Sequence, residues 1–235
     1  MGFLTSTAAV AVATALAAAT TTTPGTAAAV TPAAAPAATP AAVAAASTDS
    51  AFMSTAALRS RFADGEFAID ATAITGSPTP SGVVRPAFVG SFPVLGLPDV
   101  RMSFAFVTLE GGAFNQAHTH PRGAELLFLT KGKMDVFFVE DNVGPNARTV
   151  VNTLNAGGAT VFGQGLIHGE QCVSEGPCEF VAVFNNPDAG GLTVAPRLCA
   201  GPPDAVAAAL GTTVAKAEKV CRGVAMGPSA GPSRD

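Results

Sequence analysis

An all-β sandwich or barrel ending in short helices is the fold class this 235-residue chain predicts. Three observations carry it. Short apolar runs recur between Met102 and Phe184. Glycine- and proline-bearing turns separate them, at Gly111-Gly112, Lys131-Gly132-Lys133, Gly157-Gly158 and Gly176-Pro177. Beyond Pro203 the pattern changes to Ala-rich stretches at helical spacing. Many short strands between such turns point to a sandwich or barrel and away from a βαβ sheet.

The elements follow in chain order. Ser54 to Phe62 sets Ala57, Leu58 and Phe62 at helical spacing, which predicts a short helix. Strands are predicted over Met102–Leu109, Glu125–Thr130, Met134–Val139, Thr149–Leu154, Ala159–Phe162 and Glu179–Phe184. Asp204 can cap a helix over Ala205–Leu210, stopped by Gly211. Thr213 can cap another over Val214–Cys221, stopped by Gly223. One domain is expected over residues 51–224, with a disordered tail over 225–235.

The N-terminal part reads differently. No charged side chain precedes Asp49. Ala8 to Ala19 is apolar and has the length of a secretory h-region. It is too short for a bilayer, which needs about 20 apolar residues, so no transmembrane segment is expected. Residues 1–19 are expected to be a signal peptide. Residues 20–50 are expected to be an Ala/Thr/Pro-rich disordered linker, having no large side chains to bury.

Composition excludes one class of partner. The chain has 13 Lys+Arg against 17 Asp+Glu, a net charge of −4 and a pI near 5.3. No nucleic acid is expected, since phosphate binding needs a basic face. Four cysteines occur, and none forms a C-x-x-C pair. An even count behind an export-like start predicts two disulfides, with three connectivities open. Cys172 and Cys178 flank a turn and could face each other across a hairpin. Cys199 and Cys221 would then close the C-terminal segment onto the domain. Buried free thiols are the alternative for a chain that stays in the cytosol.

There are only three histidines. His118 and His120 are one residue apart in a strand context, so both leave the same face. After the turn at Pro121-Arg122-Gly123, Glu125 heads the apolar run ELLFL. His168 follows the strand that ends at Phe162. Three imidazoles and one carboxylate make a plausible N3O site for a first-row divalent metal.

These residues resemble a known family. Gly112-AFNQA-His118-Thr-His120-PRGA-Glu125-LLFLTK-Gly132 matches the first cupin motif, G-x5-H-x-H-x4-E-x6-G, at every fixed position. Gly157-GATVF-Gly163-Gln-Gly165-LI-His168 resembles the second, G-x5-P-x-G-x2-H-x3-N. Gly163 stands where Pro is usual and Cys172 where Asn is usual. The stretch HTHPRGAELLFL and the helical tail look most like germins and germin-like proteins, including spherulin-type relatives, over Ser54 to Gly223.

The resemblance implies a cupin jelly-roll β-barrel with a short helical C-terminal extension. It implies manganese, Mn2+, held inside by His118, His120, Glu125 and His168. Donor chemistry alone does not choose manganese, because other first-row divalent metals suit imidazole-rich sites at least as well. It implies a secreted protein of the extracellular region or cell wall, and a homo-oligomer, commonly a hexamer. The small-molecule substrate would be oxalate or superoxide, the reactions being those of oxalate oxidase and superoxide dismutase. Asn115 matches one of the two Asn amides that hold oxalate in germins; the position of the other is Ala105, which has no donor. The alternative is a non-enzymatic matrix or storage protein that keeps the metal site.

Overall fold

The computed structural model describes residues 53–231, apart from 143 and 145. The expected signal peptide, the expected linker and the last four residues lie outside the described residues. Ser54 caps α1 (Thr55–Arg59) by accepting from the Ala57 amide.

Eleven strands are formed by the described residues. They are β1 (Ser77–Thr79), β2 (Gly82–Ala87), β3 (Ser103–Leu109), β4 (Phe114–Thr119), β5 (Glu125–Lys131) and β6 (Lys133–Val139). Then come β7 (Thr149–Asn155), β8 (Ala159–Phe162), β9 (Ile167–Cys172), β10 (Cys178–Phe184) and β11 (Leu192–Thr193). Alternation drives them. In β3, Ser103, Ala105, Val107 and Leu109 are buried on one face. In β5, Glu125, Leu127 and Leu129 are buried, while Leu126 and Phe128 face out. Period-2 burial of this kind suits a sheet packed on one face.

The strands form two antiparallel sheets. One has six strands in the order β1-β2-β3-β10-β5-β8, the other five in the order β11-β4-β9-β6-β7. Between them lies the main core, with Leu109, Leu127, Leu129, Met134, Val136 and Phe162 almost wholly buried. A second cluster of Ile74, Ala87, Val94, Leu95 and Leu97 packs on Phe104 and Phe106, covering the outer face of β3.

Neither sheet closes on itself, and this corrects the expected jelly-roll β-barrel. A barrel requires its first and last strands to pair. Here β1 and β8 are edges of one sheet, and β11 and β7 edges of the other. Three of these edges are only two to four residues long, too short for a closing ladder. The architecture is a two-sheet sandwich followed by helices α2 (Val194–Cys199), α3 (Pro203–Ala209) and α4 (Val214–Cys221).

The helix starts also differ from expectation. Pro202 takes the cap position of α3, with Pro203 opening the helix and Asp204 in its first turn. Thr213 precedes α4 without a side-chain cap bond. The described part of the expected tail is docked: Phe114 and Ser229 exchange backbone hydrogen bonds of 2.8 and 2.9 Å.

Both disulfides form. Cys199–Cys221 ties α2 to α4. Cys172–Cys178 ties β9 to β10, which belong to different sheets, and both cysteines are fully buried. Gly132, the last fixed residue of the first motif, makes room for it. Its φ is +89°, and a Cβ there would sit 2.8 Å from the Cys178 sulfur.

Candidate metal centre

A bulge in β4 sets the site. In the β4–β9 pair, Asn115 opposes Glu170, whereas His118 opposes His168. One extra residue therefore lies in β4 between Asn115 and His118. In a regular strand two residues three apart point to opposite faces. The bulge turns His118 to the inner face beside Asn115, a role bulges often take near functional sites. His120 follows two residues on. The turn 121–124 then delivers Glu125 as the first residue of β5. Its cross-strand neighbours are Phe184 and Phe162. Phe184 packs on the His120 ring at 4.4 Å between centroids, and Phe162 stacks on His168 at 4.3 Å.

The structure brings His118, His120, Glu125 and His168 together, with one donor atom from each lying within 4.8 Å of all the others. Three donors come from the β4–β9 side and one from β5, so the cluster spans both sheets. Glu125 and His168 are buried, and His118 and His120 are partly buried.

Each imidazole is held from behind. His118 Nδ1 donates to the Gln116 carbonyl at 2.8 Å, His168 Nδ1 to the Leu166 carbonyl at 2.8 Å, and His120 Nδ1 to the Gly190 carbonyl at 2.5 Å. A carbonyl only accepts, so the proton of each neutral ring is on Nδ1 and Nε2 is bare. That is the tautomer a metal ligand needs, and such outer bonds orient the ring. Glu125 Oε2 lies 3.1 Å from Nε2 of both His120 and His168. Bare lone pairs facing a carboxylate repel unless a cation or a proton lies among them. Adjacent donors on one ion, each bonded at about 2.1 Å, stand about 3 Å apart. The donor set fits a first-row divalent metal.

The electrostatics agree. Burial, with His168 next, pushes the His118 imidazole down to about 4 and keeps it neutral. Burial would raise the Glu125 carboxyl, but hydrogen bonds from His120 and His168, when a proton rather than a metal sits at Nε2, outweigh it and hold it at about 2. The carboxylate is ionised and the His118 ring uncharged at neutral pH, as a cation site requires.

The loop after β10 supports the centre. Arg122 N donates to Ala189 O at 3.0 Å and Arg122 Nε to Asp188 O at 2.8 Å, and the Arg122 and Asp188 side chains pair at 2.7 Å. Gly190, with φ +72°, lies against the Arg122 guanidinium, where a Cβ would come within 2.8 Å. This knitting places the carbonyl that holds His120.

Sequence reasoning missed Glu170. It is 1 % exposed, Asn115 Nδ2 donates to its Oε2 at 2.9 Å, and its Oε1 has no partner. Burial, then the charge of Glu125, pushes its carboxyl well above the usual range. One signal could have found it: Glu170 is two residues beyond His168 in a strand and so shares its face. Asn115, expected to bind substrate, spends one amide hydrogen on Glu170.

Glu170 carries a pH-dependent prediction. An acid with a raised native pKa costs stability above its unfolded pKa of 4.5, where only the unfolded chain ionises freely. The metal-free Glu170→Gln variant should match wild type most closely below pH 4.5. Its relative stability should then climb by about 1.4 kcal/mol per pH unit until native Glu170 ionises. Glu125, held at about 2, stays ionised over this range, so its charge is part of what the difference measures. Thermal unfolding across pH reads the difference, and a pH-independent difference refutes the buried-acid assignment.

The similarities are consistent with this geometry. Residues 76–216 match the family described as Cupin. The chain is 39% identical to Spherulin-1A of Physarum polycephalum over 120 residues, 51% of this chain and 47% of that protein. It is 33% identical to Germin-like protein 1-1 of Oryza sativa subsp. japonica over 129 residues, 55% of this chain and 56% of that one. The chain thus spans about half the length of the curated relatives it matches. Among solved structures, an oxalate oxidase superposes with a TM-score of 0.63 at 23% identity, covering 69% of this chain and 83% of that one. The oxalate decarboxylase of Lactobacillus farciminis gives 0.59 at 21% identity, covering 69% and 46%. At that identity these two share the fold alone. The family match covers well over half of the chain and contains all four clustered donors: the chain belongs to the cupin family and is related within it to spherulins and germin-like proteins.

Proposed function

We propose that this chain is an exported, manganese-binding oxidoreductase of the superoxide dismutase type. The observation that carries it is the convergence of three bare Nε2 atoms and an ionised carboxylate on one point. His118, His120, Glu125 and His168 would hold the ion, which when bound supplies a one-electron couple and open coordination positions. Two superoxide anions and two protons from water give dioxygen and hydrogen peroxide. That reaction asks little of the surrounding side chains beyond access.

Oxalate oxidation asks more, and two features weigh against it. Ala105 offers no donor, and one of the two amide hydrogens of Asn115 is spent on Glu170. Export is supported by the two disulfides and by the absence of a free cysteine among the described residues. No helix among the described residues is long and apolar enough to cross a membrane. Self-association, hexameric or smaller, is supported by the outer face of β5 and the edge strand β8. Leu126, Phe128 and Val161 are 45, 42 and 66 % exposed there, and such patches mark interaction surfaces.

The test is metal analysis of purified protein, followed by superoxide and oxalate assays on manganese-loaded samples. Superoxide loss that chelation abolishes supports the proposal. Peroxide from oxalate, with no superoxide activity, makes the chain an oxalate oxidase. Bound manganese with neither activity makes it a non-enzymatic metal-site protein.

A further inference from the structure

We infer that a cavity around Arg85, on the outer face of the six-stranded sheet, binds a small organic monoanion, one oxyanion head on an apolar body, without any part of the metal centre. The cavity has a volume of about 460 Å3. Small-molecule sites span roughly 300–1,000 Å3. Thr72, Arg85, Phe106, Thr108, Glu179 and Val181 line it.

Strand register places these residues away from the histidines. Phe106 lies opposite Arg85 on one side and Val181 on the other, and Thr108 lies opposite Glu179. They alternate with Val84, Ala105, Val107, Phe180 and Ala182, which pack into the core between the sheets. The short turn Ala71–Ala73 adds Thr72 to the lining.

Arg85 carries the site. It is the one lysine or arginine among the described residues that is not exposed. Ion pairs of the described residues use Arg59, Arg122, Lys131 and Arg148, and among those residues Arg85 has no acceptor for its N–H groups. The nearby acids are engaged elsewhere. Glu179 pairs with Lys131 at 2.9 Å, and Asp70 accepts from the Thr72 amide and hydroxyl at 2.8 and 2.7 Å. A partly desolvated guanidinium without an acceptor is costly, so its place in a cavity asks for an acceptor from outside the chain. Its stem is held: a Cβ on Gly76 would stand 3.0 Å from Arg85 Cγ, so the Gly76 backbone packs against it. The planar fork takes an oxyanion through two parallel N–H bonds. Thr108 adds a hydroxyl on the same face, and Phe106 and Val181 give the body an apolar floor. The Glu179 carboxylate at the edge opposes a second negative charge on the ligand.

The test uses the full chain, with and without manganese, titrated by calorimetry with benzoate, benzenesulfonate, the neutral benzamide and the dianion terephthalate. Both monoanions are expected to bind the metal-free chain, benzoate about 10-fold or more tighter than benzamide and tighter than terephthalate. The stronger of the two monoanions identifies the preferred head. Arg85→Gln should weaken both by about 10- to 100-fold, and Arg85→Lys, which keeps the charge without the fork, by less. Without ligand, Arg85→Gln should unfold no earlier than wild type, because it removes a charge that has no partner. If it does unfold earlier, Thr108→Val decides: reduced benzoate affinity supports the site, and unchanged affinity overturns it. Benzoate binding no tighter than benzamide, terephthalate binding tighter than benzoate, equal affinity in wild type and Arg85→Gln, or binding that requires manganese each overturns it as well.

Discussion

Glu125→Gln is expected to lower manganese affinity by about 100-fold or more, with the sandwich still folded. Loss of an outer-shell partner alone typically costs about 10- to 100-fold, and Glu125 would touch the ion itself. Glutamine keeps the shape and removes the one negative charge in the cluster. Three neutral imidazoles would then face a dication in a largely buried site, where an uncompensated charge is expensive. Glu125 is also the one clustered donor from the six-stranded sheet, so no neighbouring donor of the cluster replaces it. Circular dichroism should show an unchanged fold, because Leu127 and Leu129 of the same strand stay buried. Titration with manganese, read by the paramagnetic resonance of the free ion, gives the affinity. Wild-type stoichiometry and affinity in Glu125→Gln would disprove the ligand assignment.

The paired variant Cys172→Ala, Cys178→Ala should lose about 3 kcal/mol of stability. Closing a loop with a sequence separation of 6 is worth about 2 kcal/mol by chain entropy. The remainder is packing, since both cysteines are fully buried against core residues and alanine leaves voids. For a domain of this size the unfolding midpoint should fall by roughly 10 °C. The bridge joins the two sheets, so its loss loosens their contact and not one hairpin alone. Denaturant unfolding of the metal-free protein provides the measurement. A loss below about 1 kcal/mol would show that the core holds the sheets together without the bridge.

Much of this fold is legible from local alternation. Strands β3, β5, β6, β7, β8 and β10 lie within a residue or so of their predicted bounds, because apolar side chains recur on one face. β2 was hidden by Pro86, which breaks a strand signal; it is tolerated where β1 has already ended. β9 was hidden for a different reason. Its inner face carries His168, Glu170 and Cys172, so the residues that are buried read as polar. β11 is two residues long and leaves no pattern. Closure is illegible in principle from such runs, since an open sandwich and a barrel ask for the same alternation. The four clustered donors were readable from spacing. The bulge that aligns them was not, nor was the Gly190 carbonyl, which arrives from 70 residues away in sequence.

The donors' split between the sheets has a mechanical consequence. Three belong to the β4–β9 side and one to β5, so an ion among them would act as a gauge of the gap between layers. At the far end of β9 the disulfide fixes that gap covalently. With an ion bound, one strand would be pinned at both ends, by a reversible clasp at His168 and a permanent one at Cys172. Pressure, heat or a distant core substitution that spreads the layers by a fraction of an ångström would register first as faster ion release, before any secondary structure is lost.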